Sequence, residues 1–137
     1  MRSIDFGMNA TADHLNKLSS IILDSSIAVH REMGPGLFEG VYQQCMLLEL
    51  RNRGLFVNQI VPVRLHYKGT PINKDYIIDI LVEGEIILEL KSVDVLLKVH
   101  EAQILSYLRL ANKRLGFLIN FNVPLLKDGF KRFVNKL

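Results

Sequence analysis

The chain has 137 residues, which is enough for one domain with a proper hydrophobic core and too few for two. Its residues are 49% hydrophobic and 23% charged, a composition that excludes a disordered chain. The single cysteine, Cys45, excludes an internal disulfide and a multi-cysteine zinc site. The opening residues lack the apolar stretch of a signal peptide, and no apolar run approaches the roughly 18 residues that span a bilayer. We therefore expect a cytoplasmic protein without membrane contact.

The first predicted helix follows a leader. Residues 1–13 show no sustained periodicity, so we expect a flexible leader there and a single domain over residues 14–137. From His14 to Met33 apolar residues recur at helical spacing, which predicts an amphipathic helix. The run Gly34-Pro35-Gly36 is expected to end it, because two glycines around a proline stop a helix.

A second helix is predicted from Leu37 to Arg53. Glu39 lies in its first turn, where the helix dipole favours a carboxylate whether or not that carboxylate has a function. Tyr42, three residues later, lies on the same side of the helix. The spacing of Gly36, Glu39 and Tyr42 is on its own a weak functional signal.

Three consecutive strands are predicted next. Phe56–Tyr67 alternates in part between apolar and polar residues, and Pro62 within it indicates an edge strand or a bulge. After a turn at residues 68–71, the segment Tyr76–Ser92 contains two apolar runs separated by Glu83–Glu85. Because the links are short, these strands predict an antiparallel meander.

A helix and a further strand are predicted after the meander. The helix is expected at about Lys98–Asn112, and Leu115–Phe121 has the apolar composition of a strand buried on both faces. A strand, a helix and a strand in this order predict a right-handed crossover with a parallel last strand. Phe130–Val134 is expected to form a short strand or a helical turn. The fold class is therefore α/β, in the order α-α-β-β-β-α-β, with a mixed sheet flanked by helices.

Three ionisable residues interrupt the apolar strands. Asp79, Glu89 and Lys91 lie where burial of an unpaired charge would be costly, so they are expected to pair, to bind a metal, or both. Glu89 and Lys91 are two residues apart and point to the same face. If Glu83–Glu85 is a three-residue loop, Asp79 lies opposite Glu89, whereas a two-residue turn would place it opposite Leu88.

This cluster has a chemical logic. Two neighbouring carboxylates repel each other and retain both charges best around a hard divalent cation such as Mg2+. Such a cation lowers the pKa of a bound water, and an adjacent lysine can orient the water or stabilise negative charge in the transition state. Asp79, Glu89 and Lys91 therefore outline a site for phosphodiester hydrolysis. The alternative is a structural ion pair between Lys91 and either acid.

Basic residues are concentrated toward the end of the chain. From Arg109 to Leu137 there are seven Lys or Arg residues and one acid, Asp128. That end could lie along a phosphate backbone, or it could be an ordinary solvated surface. The net charge of +3 favours a polyanionic partner only mildly.

The motifs carry a resemblance to known nucleases. Asp79, then nine residues, then Glu89-Leu90-Lys91, with a helical acid before them and a helix containing Gln103 after them, resembles the PD-(D/E)XK nuclease superfamily. The core of that superfamily has the order helix, three strands, helix, strand. The run from Gln103 to Tyr107 resembles the QxxxY motif of its RecB-like branch.

A narrower resemblance covers most of the chain, from about Leu18 to Val134. The segments 30–44, 76–93, 100–110 and 116–132 together resemble the family labelled GxxExxxY proteins. One departure is that two residues, rather than three, separate Glu39 from Tyr42.

The resemblance implies a restriction-endonuclease-like core and a nuclease that uses Mg2+ or Mn2+. It makes Asp79 and Glu89 metal ligands and Lys91 the catalytic lysine that positions water or stabilises charge. It also makes Glu39 the helical acid of the first motif and Gln103 a positioning residue.

The resemblance further implies that Tyr107 shapes the nucleic-acid side of the cleft. His100 is a candidate contact of the scissile phosphate, with a solvent-facing helix start as the alternative. His30 is a further candidate metal ligand, as a helical histidine is in some RecB-like nucleases, and a cap at the helix C-terminus is its alternative. The predicted nucleic-acid-binding set is completed by five basic residues, Arg109, Lys113, Arg114, Lys131 and Arg132.

The leading hypothesis is therefore a metal-dependent nuclease that acts on nucleic acid, in the first instance DNA. A homodimer that places two sites on one duplex would suit so small a chain. The alternative is a non-catalytic nucleic-acid-binding or assembly module that retains the nuclease fold. A third hypothesis is a structural ion-pair core with protein partners only.

Overall fold

The computed structural model describes the backbone of residues 7–136 and the side chains of residues 12–136. Its helices and strands follow the predicted order and end with one additional strand. The elements are α1 (Gly7–Met33), α2 (Glu39–Asn52), β1 (Val57–Tyr67), β2 (Thr70–Val82), β3 (Ile86–Lys91), α3 (Lys98–Leu110), β4 (Leu115–Asn120) and β5 (Phe130–Val134), with a short 3-10 turn at Leu126–Gly129.

Two predictions about the ends of the chain are refined. Helix α1 begins at Gly7, seven residues before the predicted start at His14. Residues 1–6 of the predicted leader lie outside the described residues, and the division into a leader and a domain stays a prediction. Phe130–Val134, for which a strand and a helical turn were both open, is a strand that pairs antiparallel with β4.

The five strands form one mixed sheet in the order β1-β2-β3-β4-β5. The first three form the predicted antiparallel meander, and β3 and β4 are the parallel pair. Helix α3 makes the crossover between them, because a chain must travel the length of the sheet to start a parallel strand at the same end. The predicted α/β class with a mixed sheet flanked by helices is confirmed.

Apolar side chains fill both faces of the sheet. On one face α1 and α2 cover residues such as Ile80, Leu88 and Leu90, and on the other face α3 covers residues such as Ile78 and Ile87. Strand β3 is buried along nearly its whole length, which explains why its sequence is almost continuously apolar. Glu89 interrupts this run and is itself only 8% exposed.

The turn between α1 and α2 places the start of α2. Gly34 and Gly36 have positive φ angles of 73° and 95°, conformations that a residue with a Cβ rarely adopts. The buried Tyr42 holds this turn, because its hydroxyl donates to the carbonyl of Gly34 at 2.6 Å and accepts from the amide of Leu37 at 3.0 Å. This turn therefore fixes the position of Glu39, the first residue of α2.

The helices of the described residues were also compared with the length and hydropathy of membrane spans. None of them is long and apolar enough to cross a bilayer.

Candidate active site

The loop between β2 and β3 sets the register of the site. Val82 pairs with Ile86 and Ile80 pairs with Leu88, so the intervening loop is the predicted three-residue loop, residues 83–85. Continued by one residue, the same register places Asp79 across from Glu89, as the sequence predicted.

The loop conformation has an identifiable cause. Glu83 has a φ of 54° and Gly84 a φ of 67°, so the left-handed backbone is shared between them. Phe56 holds Glu83 in place, because its carbonyl accepts from the Glu83 amide at 2.7 Å and its amide donates to Glu83 Oε2 at 2.6 Å. The start of β1 therefore stabilises the register that brings the two carboxylates together.

The two carboxylates bond to the backbone of each other's strand. The amide of Asp79 donates to Glu89 Oε2 at 3.0 Å, and the amide of Leu90 donates to Asp79 Oδ2 at 2.9 Å. These side chains satisfy amides at the point where the regular β2–β3 pairing ends. One oxygen of each carboxylate is therefore hydrogen-bonded to the protein backbone.

Strand β2 is distorted at this position. Ile78 and Ile80 are two residues apart and would share a face in a regular strand, yet they pack on opposite faces of the sheet. On the neighbouring strand Ile60, flanked by the pairs Gln59–Ile80 and Val61–Ile78, has a φ of 53°, which is strained for a β-branched residue. Such strain is typical of functional sites.

The carboxylates hold protons more tightly than usual. Burial, followed by repulsion from Asp79, raises the pKa of Glu89 from 4.5 to about 8. Burial also raises the pKa of Asp79, although the Leu90 amide, Lys91 and Gln43 act in the opposite direction. The groups around these two neighbouring carboxylates therefore compensate their negative charge only in part.

Lys91 ends β3 beside this pair. Its positive charge lowers the pKa of Asp79, Glu89 and Glu39, so it acts electrostatically on all three acids. Among the salt bridges of the described residues, however, none within 4.0 Å involves Lys91. The side chain is thus not engaged in the direct structural ion pair that was the alternative interpretation.

Helix α2 contributes two residues to the site. Burial, followed by the negative charge of Asp79, raises the pKa of the first-turn acid Glu39, whereas the positive charge of Lys91 lowers it. Gln43, one turn later, donates from Nε2 to Glu39 Oε2 at 3.3 Å, and its side chain also lowers the pKa of Asp79. Gln43 was not among the predicted site residues. Its spacing of four residues from Glu39 was the available signal.

Tyr76 on β2 and Tyr107 on α3 form a stacked pair near the carboxylates. The rings of Tyr76 and Tyr107 lie 4.1 Å apart and nearly parallel, and the Tyr76 hydroxyl donates to the Tyr107 carbonyl at 2.7 Å. Burial, Tyr107 and Glu89 raise the pKa of Tyr76 to about 12, and burial, Glu89 and Asp79 raise that of Tyr107. The structure thus brings Tyr107 to the carboxylates. Gln103 is exposed on α3, one turn before Tyr107.

Asn120, also missed at the level of sequence, fixes the segment that follows Lys91. It is 2% exposed, its Nδ2 donates to the Val93 carbonyl at 2.8 Å, and its Oδ1 accepts from the Val93 amide at 3.0 Å. Ser92 donates to the Leu37 carbonyl at 2.5 Å, which ties the same segment to the start of α2.

The histidines have structural contacts. His100 Nδ1 accepts from the Leu97 amide at 3.0 Å and so caps the start of α3. His30 Nε2 lies 2.7 Å from the Val123 carbonyl, so that nitrogen carries the proton and Nδ1 is the nitrogen left to bind a metal.

The predicted basic residues are not brought to the carboxylates as one group. Lys113 and Arg114 line a small cavity with Gly84 and Glu85, at the end of the sheet opposite Lys91. The others are distributed along α3 and β5: Arg109 is exposed on α3, Lys131 pairs with Glu101 at 3.1 Å, and Arg132 lies across from Phe117.

The donor set of Asp79 and Glu89 fits a hydrated divalent cation. Within residues 12–136, no group of three or more His, Cys, Asp or Glu side chains is placed to hold a metal ion by itself. Mg2+ does not need such a group, since it retains waters and is held by one or two carboxylates together with substrate phosphates. Each carboxylate has a second oxygen beyond the one bound to a backbone amide.

The fold and the site together define the class of the molecule. It is an α/β protein whose central sheet presents two neighbouring carboxylates and a lysine, chemistry suited to phosphodiester hydrolysis.

The comparison with known families agrees with this class. A family model of the PD-(D/E)XK nuclease superfamily matches residues 16–133, and the chain belongs to that superfamily. Membership indicates nuclease activity in general, with nucleic acid as the class of substrate and divalent metals as the usual cofactors. No curated protein and no solved structure matches the chain.

Proposed function

We propose that the protein is a nuclease that hydrolyses phosphodiester bonds of DNA, with Mg2+ or Mn2+ held by Asp79 and Glu89. The observation that supports this most directly is the neighbouring pair Asp79 and Glu89. Each carboxylate accepts from a backbone amide of the other's strand, and burial and mutual repulsion raise the pKa of Glu89 to about 8. A divalent cation would offset that repulsion. When bound there, the cation would lower the pKa of a water and neutralise phosphate charge.

The residues around the carboxylates have separate tasks in this proposal. Lys91 orients the attacking water or stabilises the negative charge that develops on the phosphate, which requires an ammonium that is not consumed by a salt bridge. Glu39, whose pKa is raised by burial, can hold a proton at a higher pH than an exposed glutamate does. Gln43 donates to Glu39 and holds this helical acid in place beside the carboxylate pair.

On the substrate side, Gln103 positions the nucleic acid and Tyr107 shapes the cleft, as the QxxxY motif predicts. His100 is a candidate contact of the scissile phosphate, and His30 Nδ1 is a further candidate metal ligand. The basic set Arg109, Lys113, Arg114, Lys131 and Arg132 is retained as a prediction, and so is the assignment to the GxxExxxY family.

Thermal unfolding with added MgCl2 or MnCl2 tests the metal site. A ligand that binds only the folded state raises the unfolding temperature, so wild type should be stabilised and Glu89→Gln should not. Glu49→Gln is the matched control, because Glu49 forms a surface salt bridge with Arg53 on α2. Equal stabilisation of wild type and Glu89→Gln would contradict the assignment.

Cleavage assays on single- and double-stranded DNA and RNA complete the test. Cleavage that requires the metal and disappears in Glu89→Gln supports the nuclease proposal. Binding of DNA without cleavage under any metal condition would instead favour the non-catalytic binding module.

A further inference from the structure

The hairpin formed by β1 and β2 extends well beyond the carboxylates. Toward its tip Val63 pairs with Tyr76, Arg64 pairs with Asp75 and Tyr67 pairs with Thr70, and Leu65 is the last side chain that packs against the core. We call residues 64–75 the hairpin arm. Asp79 and Thr70 are nine residues apart on β2. Because extra β2 residues bulge out between Asp75 and Pro71, the shorter path along β1 sets the reach of the arm. Ile60, opposite Asp79, and Tyr67, opposite Thr70, are seven residues apart, which at about 3.3 Å per residue places the tip about 23 Å beyond the site.

The arm has a defined shape and no core of its own. Every residue from 66 to 75 is exposed, including Tyr67, whose exposure is 65%. Lys68 and Gly69 have φ angles of 50° and 81°, the conformation of a tight two-residue hairpin turn. An isolated two-stranded ribbon gains little from its own burial, so such an extension is a surface on which a partner can bind.

The charge of the hairpin arm indicates the chemical class of the partner that it binds. Arg64 is paired with Asp75 at 2.6 Å, whereas Lys68 and Lys74 have no carboxylate within 4.0 Å among the described residues. Asp75 is the only acid of the arm. Lys68 Nζ lies 5.4 Å from the centre of the Tyr67 ring, so a cation and an exposed aromatic face occur together. Lysines bind phosphates and aromatic faces stack on bases.

We propose that the hairpin arm binds the nucleic-acid strand at a distance from the bond that is cut. Lys74 is five residues from Asp79 along β2. This is about 17 Å, or about five phosphates of one DNA strand. The inference rests on the proposed function, since it places the arm relative to a cleavage site. It also gives the carboxylate end of the sheet a basic surface, while Lys113 and Arg114 lie at the other end.

The test compares Lys68→Gln/Lys74→Gln with Lys17→Gln/Arg51→Gln. The control variant removes the same amount of positive charge at the end of the sheet opposite the arm. Lys17 lies one turn after His14, which contacts Glu85 in the β2–β3 loop. Arg51 Nη2 lies 3.4 Å from the carbonyl of Val57, the first residue of β1. For a long DNA oligonucleotide, the arm variant should raise KM about tenfold and leave kcat unchanged, and the control should change neither.

Two further measurements sharpen the test. The slope of log affinity against log salt concentration, measured in the Lys91→Ala background, should decrease by about 1.4 to 1.8 in the arm variant. With a substrate of about three nucleotides on each side of the cut, wild type and arm variant should behave alike, because such a strand does not reach Lys74.

The outcomes separate the arm from the nuclease proposal. Wild-type cleavage with an unchanged KM and salt slope in the arm variant would overturn the arm and leave the nuclease proposal intact. DNA binding that depends on Lys68 and Lys74 without cleavage would support the arm and contradict hydrolysis. A dimer that dissociates in the arm variant, with unaltered DNA affinity, would assign the arm to a second copy of the chain and overturn the inference.

Discussion

Asp79 and Glu89 are linked through the Asp79 backbone, whose amide donates to Glu89 Oε2 at 3.0 Å. The position of one acid therefore depends on the strand that carries the other. The pair is coupled in charge as well, because Asp79 raises the pKa of Glu89. This double coupling makes the charge state of the site depend on pH and on the position of both strands.

The first prediction concerns pH in the absence of metal. The pKa of Glu89 is about 8 in the folded protein against an ordinary 4.5, so between these values the folded state holds a proton that the unfolded state lacks. Stability should therefore fall as pH rises from about 5 to about 8, by a few kcal/mol at most, since one pKa unit is about 1.4 kcal/mol. Urea unfolding across this range measures it.

The control for the pH effect is Glu89→Gln, which should flatten the dependence, whereas Glu49→Gln should retain it. Stabilisation by Mg2+ should grow over the same range, because the cation competes with the proton for the carboxylates. A wild-type stability that rises with pH over this window would show that Glu89 is not a buried acid with a raised pKa.

A second prediction concerns Gln43. Its amide donates to Glu39 and its side chain lowers the pKa of Asp79, so Gln43→Ala should leave Glu39 less well positioned and lower kcat about tenfold with little change in unfolding free energy. Gln44→Ala is the neighbouring control, since Gln44 makes an exposed contact with Gln59 at 3.4 Å. Equal kcat values for the two variants would show that Gln43 has no role in the active site.

The third prediction concerns the turn that Tyr42 holds. Tyr42→Phe leaves the Gly34 carbonyl and the Leu37 amide without their partner and should lower the unfolding free energy by about 1 to 2 kcal/mol. Because Glu39 follows this turn directly, kcat should fall as well. The exposed Tyr67→Phe should leave stability unchanged. A Tyr42→Phe protein with the unfolding free energy of wild type would show that the turn does not depend on the Tyr42 hydroxyl.

Asn120 provides a fourth prediction. Asn120→Ala removes the buried bonds to both backbone groups of Val93 and should cost about 2 to 3 kcal/mol in unfolding free energy. Amide hydrogen exchange should show loss of protection at Val93. Asn122→Ala, which removes only an exposed contact with Asp94 at 3.3 Å, is the control and should change stability little.

Local patterns made the fold and half of the site predictable. The apolar run from Ile86 to Leu90 has few alternatives to a strand buried on both faces, and the three residues after Val82 were enough to place Asp79 opposite Glu89. Glu39 was predictable because the resemblance assigned a role to a first-turn acid.

The rest of the site depends on contacts that the sequence does not display. Gln43 has the appearance of a surface glutamine until α2 is packed against β2, and the partners of Asn120 are backbone groups 27 residues away. The basic residues illustrate the same limit. A count of charges does not reveal that α3 returns the chain to the far end of the sheet, where Lys113 and Arg114 lie beside Gly84.

Lys91→Ala tests the central claim most directly, because Lys91 lies beside the carboxylates and makes no salt bridge within 4.0 Å among the described residues. The purified variant and wild type would be assayed on mixed DNA and RNA substrates with Mg2+ and with Mn2+. We expect wild type to cleave, and the variant to fold and to be stabilised by metal while cleavage falls by about a thousandfold or more. Cleavage by Lys91→Ala at the wild-type rate, or a wild-type protein that is neither stabilised by metal nor active on any nucleic acid, would contradict the account.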